Sequence, residues 1–120
     1  MATDTAIGTG EKNTIAIIVA QGGIAPSYAA GVARAYKGGG FDDWFLPSKE
    51  ELNQMYLKKG AINTTAVVNG GYDFLNDEYW SSTQVSVLSE YYARTQDFLE
   101  GARKVRDKNL DHRVRAVRAF

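Results

Sequence analysis

"DDWFLPSKEELNQMY", Asp42 to Tyr56, packs acids, aromatics, a proline and a helix start into one short stretch, and its reading decides the fold. Pro47–Ser48–Lys49–Glu50–Glu51 has the form of a capping box. In that motif the Ser48 hydroxyl accepts the Glu51 amide, and the Glu51 carboxylate reaches back to the Ser48 amide. Leu52, Met55 and Tyr56 then fall on one helical face, and Gly60 is expected to close the helix. Glu50 and Glu51 are neighbours, so on a helix their side chains diverge by about 100° and cannot act as one acid/base pair. Asp42 and Asp43 precede Trp44 in a turn, where aspartates accept local amide hydrogen bonds. The stretch therefore reads as scaffold. The rival, a hydrolase using Asp42, Asp43 and Glu50, requires those carboxylates to converge on one cleft with shifted pKa values.

On the N-terminal side, "NTIAIIVAQGG" has Asn13 or Thr14 as an N-cap, runs apolar to Val19 and stops at Gly22–Gly23. This predicts a short buried helix, with a strand as the competing reading. In "APSYAAGVARAYKGGG", Pro26 suits a first turn, and Tyr28, Ala29, Val32, Ala33 and Tyr36 form one stripe before Gly38 to Gly40. That pattern predicts an amphipathic helix of about ten residues.

On the C-terminal side, "NTTAVVNGGYDFLNDEYW" reads as a loop-rich segment with a turn at Asn69–Gly70–Gly71. Short β-like runs follow: "YWSST", "EYYARTQDF", "GARKVRD" and "HRVRAVRAF". In the last, Val114 and Ala116 take one face and Arg113, Arg115 and Val117 the other, as in a partly buried strand. Helices come first and antiparallel strands last, which is an α+β arrangement rather than a series of βαβ units.

A chain of 120 residues is expected to form one domain, 1–120, with a core of its own. The absence of cysteine excludes a disulfide framework, thiol catalysis and cysteine-ligated zinc. No apolar run approaches the roughly 20 residues of a membrane span, and "MATDTAIGTGEKNT" does not read as a signal peptide, so no membrane insertion is expected. Charge is unevenly placed: residues 1–93 hold six Lys/Arg against ten Asp/Glu, and residues 94–120 hold eight against four. Such asymmetry accompanies either an interaction surface or internal pairing between the two parts. Acids interleave the tail's basic residues and no RNA- or DNA-binding motif is present, so nucleic acid is not an expected partner.

Little in the sequence builds a catalytic constellation. His112 has no cysteine to activate, and a triad would need Ser and Asp from distant segments, so it reads as a surface residue. "GGIAPS", "GGG" and "NGG" lack the spacing of a phosphate cradle and read as turns. Asn76–Asp77–Glu78, with Asp73 nearby, could offer oxygen ligands to calcium, but an EF-hand register is missing, and no metal or cofactor is expected. "RKVRDKNLDHRVR" differs in kind. It alternates basic, acidic and apolar residues at strand spacing, with Tyr91, Tyr92 and Arg94 upstream, and Tyr and Arg dominate binding hot spots. A solvated sheet face is the competing reading.

"FDDWFLPSKEELNQMY", "YWSST", "ARTQDF" followed by Gly101, and the terminal "VRAVRAF" together resemble the domain at the C-terminus of bacterial collagen-like adhesins, over roughly Thr9 to Phe120. The resemblance implies a C-type lectin-like fold, with two or three N-terminal helices packed on a twisted antiparallel sheet with long loops. Trp44 and Trp80 would then belong to the core. Formylglycine-generating enzymes share that general fold but need cysteines, so their activity is not implied. The Glu-Pro-Asn and Trp-Asn-Asp signatures of calcium-dependent sugar binding are missing.

A second resemblance is to the variable proteins of diversity-generating retroelements, where framework residues such as "YWSS" and "VRAVRAF" enclose exposed, diversified positions. By that resemblance the ligand-binding set is Tyr92, Arg94, Thr95, Asp97, Leu99, Ala102, Val105, Arg106, Asp107, Asn109, Leu110, Asp111 and His112. Gln84, Glu90 and Lys108 would be fixed or differently coded. The implied function is a non-enzymatic recognition module for a protein or glycan ligand on a surface, itself cell-surface, secreted or virion-associated. A polyanion-binding adhesin domain and a structural subunit are the alternatives. Replacing Arg94, Arg106 and His112 together is expected to leave the melting temperature nearly unchanged.

Overall fold

The structure, a computed structural model, describes residues 2–23, 28–71, 74–86, 89–108 and 110–119. Among these, four helices precede a sheet: α1 (Gly10–Gln21), α2 (Ala29–Ala35), α3 (Lys49–Leu57) and α4 (Lys59–Val68). The strands β1 (Glu78–Ser86), β2 (Ser89–Asp97) and β3 (Arg103–Asp107) pair antiparallel in the order β1-β2-β3. The α+β class read from the sequence is the one observed, with four helices where two or three were expected.

The capping box forms as read. Ser48 Oγ accepts the Glu51 amide at 3.4 Å, and Glu51 Oε1 accepts the Ser48 amide at 2.8 Å. The same two side chains also hold the N-terminal segment: Ser48 Oγ donates to the Ala6 carbonyl at 2.9 Å, and Glu51 Oε2 accepts the Gly8 amide at 3.0 Å. α1 starts against this knot. A Cβ on Gly10 would lie 2.2 Å from Glu51 Oε1 and 2.9 Å from the Leu46 carbonyl, so only glycine fits there.

The helix readings need four corrections. α1 begins before Asn13 and Thr14, which are its innermost residues rather than its caps. Asn13 Nδ2 donates to the Asp4 carbonyl at 2.7 Å, and Thr14 Oγ1 accepts the Leu46 amide at 3.0 Å. Polar satisfaction of the neighbouring loop outweighs apolar burial here, and Ile15 and Val19 are left outside, 49% and 74% exposed. On α2 the buried residues are Ala30, Gly31 and Ala33, while Val32 and Tyr36 are exposed, because small residues let this short helix approach closely. The Pro26 start lies outside the described residues. Gly60 does not end α3; it sits in the first turn of α4, a helix that the sequence reading took for loop. Its Gly, Thr and Val content argues against helix on propensity, and tertiary bonds override that. The Phe74 amide binds Asn63 Oδ1 at 2.7 Å, and Lys59 Nζ binds the Phe98 carbonyl.

The first three β-like runs are β1, β2 and β3; the last is not a strand. Its Arg113 bridges to Tyr79 of β1, whereas Val117 bridges to Phe45, so its backbone bonds change partner and no continuous ladder forms. The facing was read correctly, since Val114 and Ala116 pack on the core. Strand alternation gives the sheet two faces. Tyr79, Tyr92, Arg94, Gln96, Arg103, Val105 and Asp107 share one; Glu78, Trp80, Ala93, Thr95, Lys104 and Arg106 share the other.

Each face carries a core cluster. Leu52 of α3 packs with Phe74, Tyr79 and Phe98, where the rings of Phe74 and Tyr79 both lie 4.7 Å from that of Phe98. Gln96 docks α3 on this face, donating to Asn53 Oδ1 at 2.9 Å. On the opposite face Ala30, Ala33, Leu46, Trp80 and Ala93 form the second cluster. Trp80 is thus a core residue. Trp44 is not: it is half-buried, edge-on to Tyr36 at 4.9 Å, with Nε1 donating to the Gly38 carbonyl.

Candidate functional site

The Trp80 face of the sheet ends in a buried carboxylate. Glu78, 9% exposed, stands at the start of β1, and cross-strand pairing brings the residues facing it from β2 and β3. Arg106 donates to it through Nε at 3.0 Å and Nη2 at 3.0 Å, a bidentate arrangement, and Thr95 Oγ1 donates at 3.1 Å. Lys104 Nζ lies 3.7 Å away. His112 comes from the segment after β3, its Nε2 3.3 Å from Glu78 Oε2 without hydrogen-bond alignment and its ring edge-on to Trp80 at 5.0 Å. Burial works to raise the Glu78 pKa, but the Arg106 and Thr95 hydrogen bonds and the nearby His112 and Arg106 charges outweigh it and hold the carboxyl below its usual range. The same contact raises the Arg106 pKa.

This cluster sorts the sequence-derived set. Thr95, Arg106 and His112 converge on Glu78, and Thr95, 2% exposed, has no solvent face to offer a ligand. Tyr92, Arg94, Val105 and Asp107 are on the opposite face, with Tyr92 43% and Val105 46% exposed. Leu99 and Ala102 are exposed at the β2–β3 turn, where the Asp97 side chain accepts the Leu99 amide. Leu110 and Asp111 are exposed beyond β3; Asn109 lies outside the described residues. His112 is no surface residue, since 16% of its side chain is exposed. Removing Arg106 would strip the bidentate partner from a buried carboxylate, and removing His112 the ring packed edge-on to Trp80, so a lowered melting temperature is now the expected outcome.

Sequence reasoning left Glu78 and Lys104 out of the binding set, weighing Glu78 only as an oxygen ligand to calcium. The signals were present: Glu78 opens the strand containing "YWSST", and Lys104 alternates with Arg106 at strand spacing. Among the proposed calcium ligands, Glu78 faces Arg106, and Asp77 accepts Arg113 Nε at 3.1 Å, so both carboxylates are turned to guanidinium groups. The Glu78 amide, with Arg113, holds the Asp77 pKa below its usual range. Asp73 is outside the described residues.

Asp42, Asp43 and Glu50 do not meet. Asp43 pairs with Arg118, whose hydrogen bond lowers the Asp43 pKa, while Glu50 accepts Arg103 Nη1 at 3.0 Å. None of the three lines the apolar cleft of about 780 Å³ that runs between Tyr36, Trp44, Ile62, Phe74 and Val114.

The elements that build the Glu78 cluster, from β1 to the segment after β3, fall within one family match, to the Lcl C-terminal domain over residues 12–118. The chain belongs to that family. The Lcl C-terminal domain match takes in all four helices but for the first two residues of α1, and the whole sheet. Of the four stretches that carried the resemblance it takes in "FDDWFLPSKEELNQMY", "YWSST" and "ARTQDF" whole, and "VRAVRAF" up to Arg118. No curated protein and no solved structure matches the chain.

Proposed function

We propose that this Lcl C-terminal domain is a non-enzymatic, adhesin-type recognition module whose ligand surface is the Glu78 face of the sheet. The observation that carries the reading is the anchoring of Arg106 by one buried carboxylate, with Lys104 and His112 gathered beside it. Side chains ordered before binding lose less entropy on binding, and a packed sheet holds them in place. Lys104 and Arg106 retain 37% side-chain exposure and can reach a ligand without leaving Glu78. The partner is a protein or glycan on a surface, and the chain acts at a cell surface, in secretion or on a virion. Cations presented over an acid favour a glycan or polyanion carrying negative groups as the second reading.

The lectin-like architecture is part of the proposal. Its support is that both ends of the described chain return to the start of α3 and the segment leading into it: the Thr5 carbonyl accepts the Glu50 amide, and Val117 bridges to Phe45. Diversification by a retroelement is the competing reading: it would put the ligand at the exposed positions Tyr92, Leu99, Ala102, Val105, Leu110 and Asp111, which can change without disturbing the core. Its genetic signature is a near-identical copy of the segment encoding Tyr79 to Phe120 beside a reverse transcriptase, differing at adenines.

The protein-level test is an array of neutral and sulfated glycans and intact cell surfaces, probed with the wild type, Lys104→Ala and Tyr92→Ala. Wild type and Tyr92→Ala should bind the same targets, and Lys104→Ala should bind them at least several-fold more weakly at an unchanged melting temperature. Loss of binding in Tyr92→Ala with full binding in Lys104→Ala would move the surface to the other face.

A further inference from the structure

The two edges of the sheet are finished differently. Along β1 the outward amides of Trp80, Ser82 and Gln84 donate to the carbonyls of Arg113, Pro47 and Ala2 at 2.9, 2.7 and 2.7 Å, so the chain covers its own edge. β3 forms the other edge. The Asp97 amide donates to the Ala102 carbonyl at 2.8 Å, which fixes the phase of the ladder: Lys104 and Arg106 bond inward to β2, and Arg103, Val105 and Asp107 turn their backbone groups outward. The Leu110 amide donates to the Asp107 carbonyl at 3.1 Å, as that phase requires. Among the described residues, no backbone group bonds to Arg103 or Val105 on the outward side.

An open edge invites another strand, and this one is complementary to itself. We infer that the outer edge of β3 pairs antiparallel with the same edge of a second copy of the chain, centred on Val105. In that register the Val105 amide and carbonyl of each copy bond those of the other. Arg103 of each copy, its side chain 38% exposed beside its own Glu50 at 3.0 Å, then stands opposite Asp107 of the other, on the face where Val105 is 46% exposed with Tyr92 diagonally beside it. Opposite charges directly across a strand pair attract, and the apolar centre loses water. On the other face the register sets Lys104 against Arg106 of the second copy. Each copy's Glu78 already lies 3.7 Å from its own Lys104 and 3.0 Å from its own Arg106, which offsets that repulsion. The contact is isologous, closed by a two-fold axis perpendicular to the sheet. It therefore sets both Glu78 clusters on the same side of one continuous six-stranded sheet. The pairing does not rest on the ligand reading, although it would make that surface bivalent.

Sedimentation velocity on the full chain, up to about 1 mM, tests the pairing, since a short edge contact supports only weak association. The wild type should shift toward dimer with rising concentration. Arg103→Asp and Asp107→Arg should each be monomeric, because each sets like charges opposite one another at both ends. An equimolar mixture of the two variants should dimerise again, since every such pair then has opposite signs. Val105→Pro removes the outward amide while leaving the β2–β3 ladder, and should also be monomeric. A monomeric wild type at the highest concentration would overturn the inference. So would a dimer indifferent to Val105→Pro, or single variants that stay apart when mixed.

Discussion

The two faces of one sheet are stabilised by opposite means. Under α3 the contacts are aromatic, with Phe98 fully buried among Tyr56, Phe74 and Tyr79. On the other face, beyond Trp80, a carboxylate holds three cationic or titratable side chains at the margin of solvent. Apolar burial carries no titratable group and rewards close fit. A charged cluster is costly to desolvate but presents ordered polar groups outward. The difference separates two kinds of order: under α3 the side chains are fixed by packing alone, while beside Glu78 the Lys104 and Arg106 side chains are fixed by charge and stay 37% exposed.

The strongest way to break this comparison is to hollow out the aromatic side. Phe98→Ala removes a ring in contact with three others and should cost about 3–5 kcal/mol in urea denaturation. The loss should be nearly the same at pH 7 and pH 5. A loss under about 1 kcal/mol would show that α3 is held elsewhere, for instance by Gln96 and Asn53.

Glu78→Gln should cost less, because Arg106 and Lys104 are more than a third exposed and regain water. Its signature is the dependence on pH. The Glu78 pKa is lowered on folding from about 4.5, so ionised Glu78 stabilises the fold fully above that value. That stability is lost as pH falls through the lower, folded value. The gap between wild type and Glu78→Gln should therefore be level from pH 7 to about 5 and close on further acidification. A gap that widens in acid would mean that the acid is not held by its cations.

Local signals in the sequence predict the parts of this fold that obey local rules. The capping box at Ser48–Glu51 and the strand alternation of β1 to β3 were legible because each motif specifies its own hydrogen bonds. α4 was not, because its residues disfavour helix and bonds to Phe74 and Phe98 decide it. The segment after Asp111 alternates like a strand, yet its partners change between Tyr79 and Phe45, which no local pattern encodes. The site was half legible. Alternation located Arg106 and its neighbours, but which face each takes depends on the register with β2, and the acid they meet comes from Glu78, 28 positions before Arg106.

Register also makes the smallest prediction the sharpest. Tyr92 and Thr95 are three apart on β2 and were grouped as equivalent surface positions, yet they are on opposite faces and 43% and 2% exposed. Tyr92→Ala should change stability by less than about 0.5 kcal/mol, as at surface positions outside any network. Thr95→Tyr has no room beside Glu78 and should be strongly destabilising by comparison, since overpacking forces neighbours off their rotamers. Thermal denaturation of the two variants separates a sheet with one enclosed polar face from one that tolerates change on both sides. Equal and negligible shifts would return Thr95 to the candidate ligand-binding positions. Unequal shifts fix it as framework, bonded to the same carboxylate as Arg106.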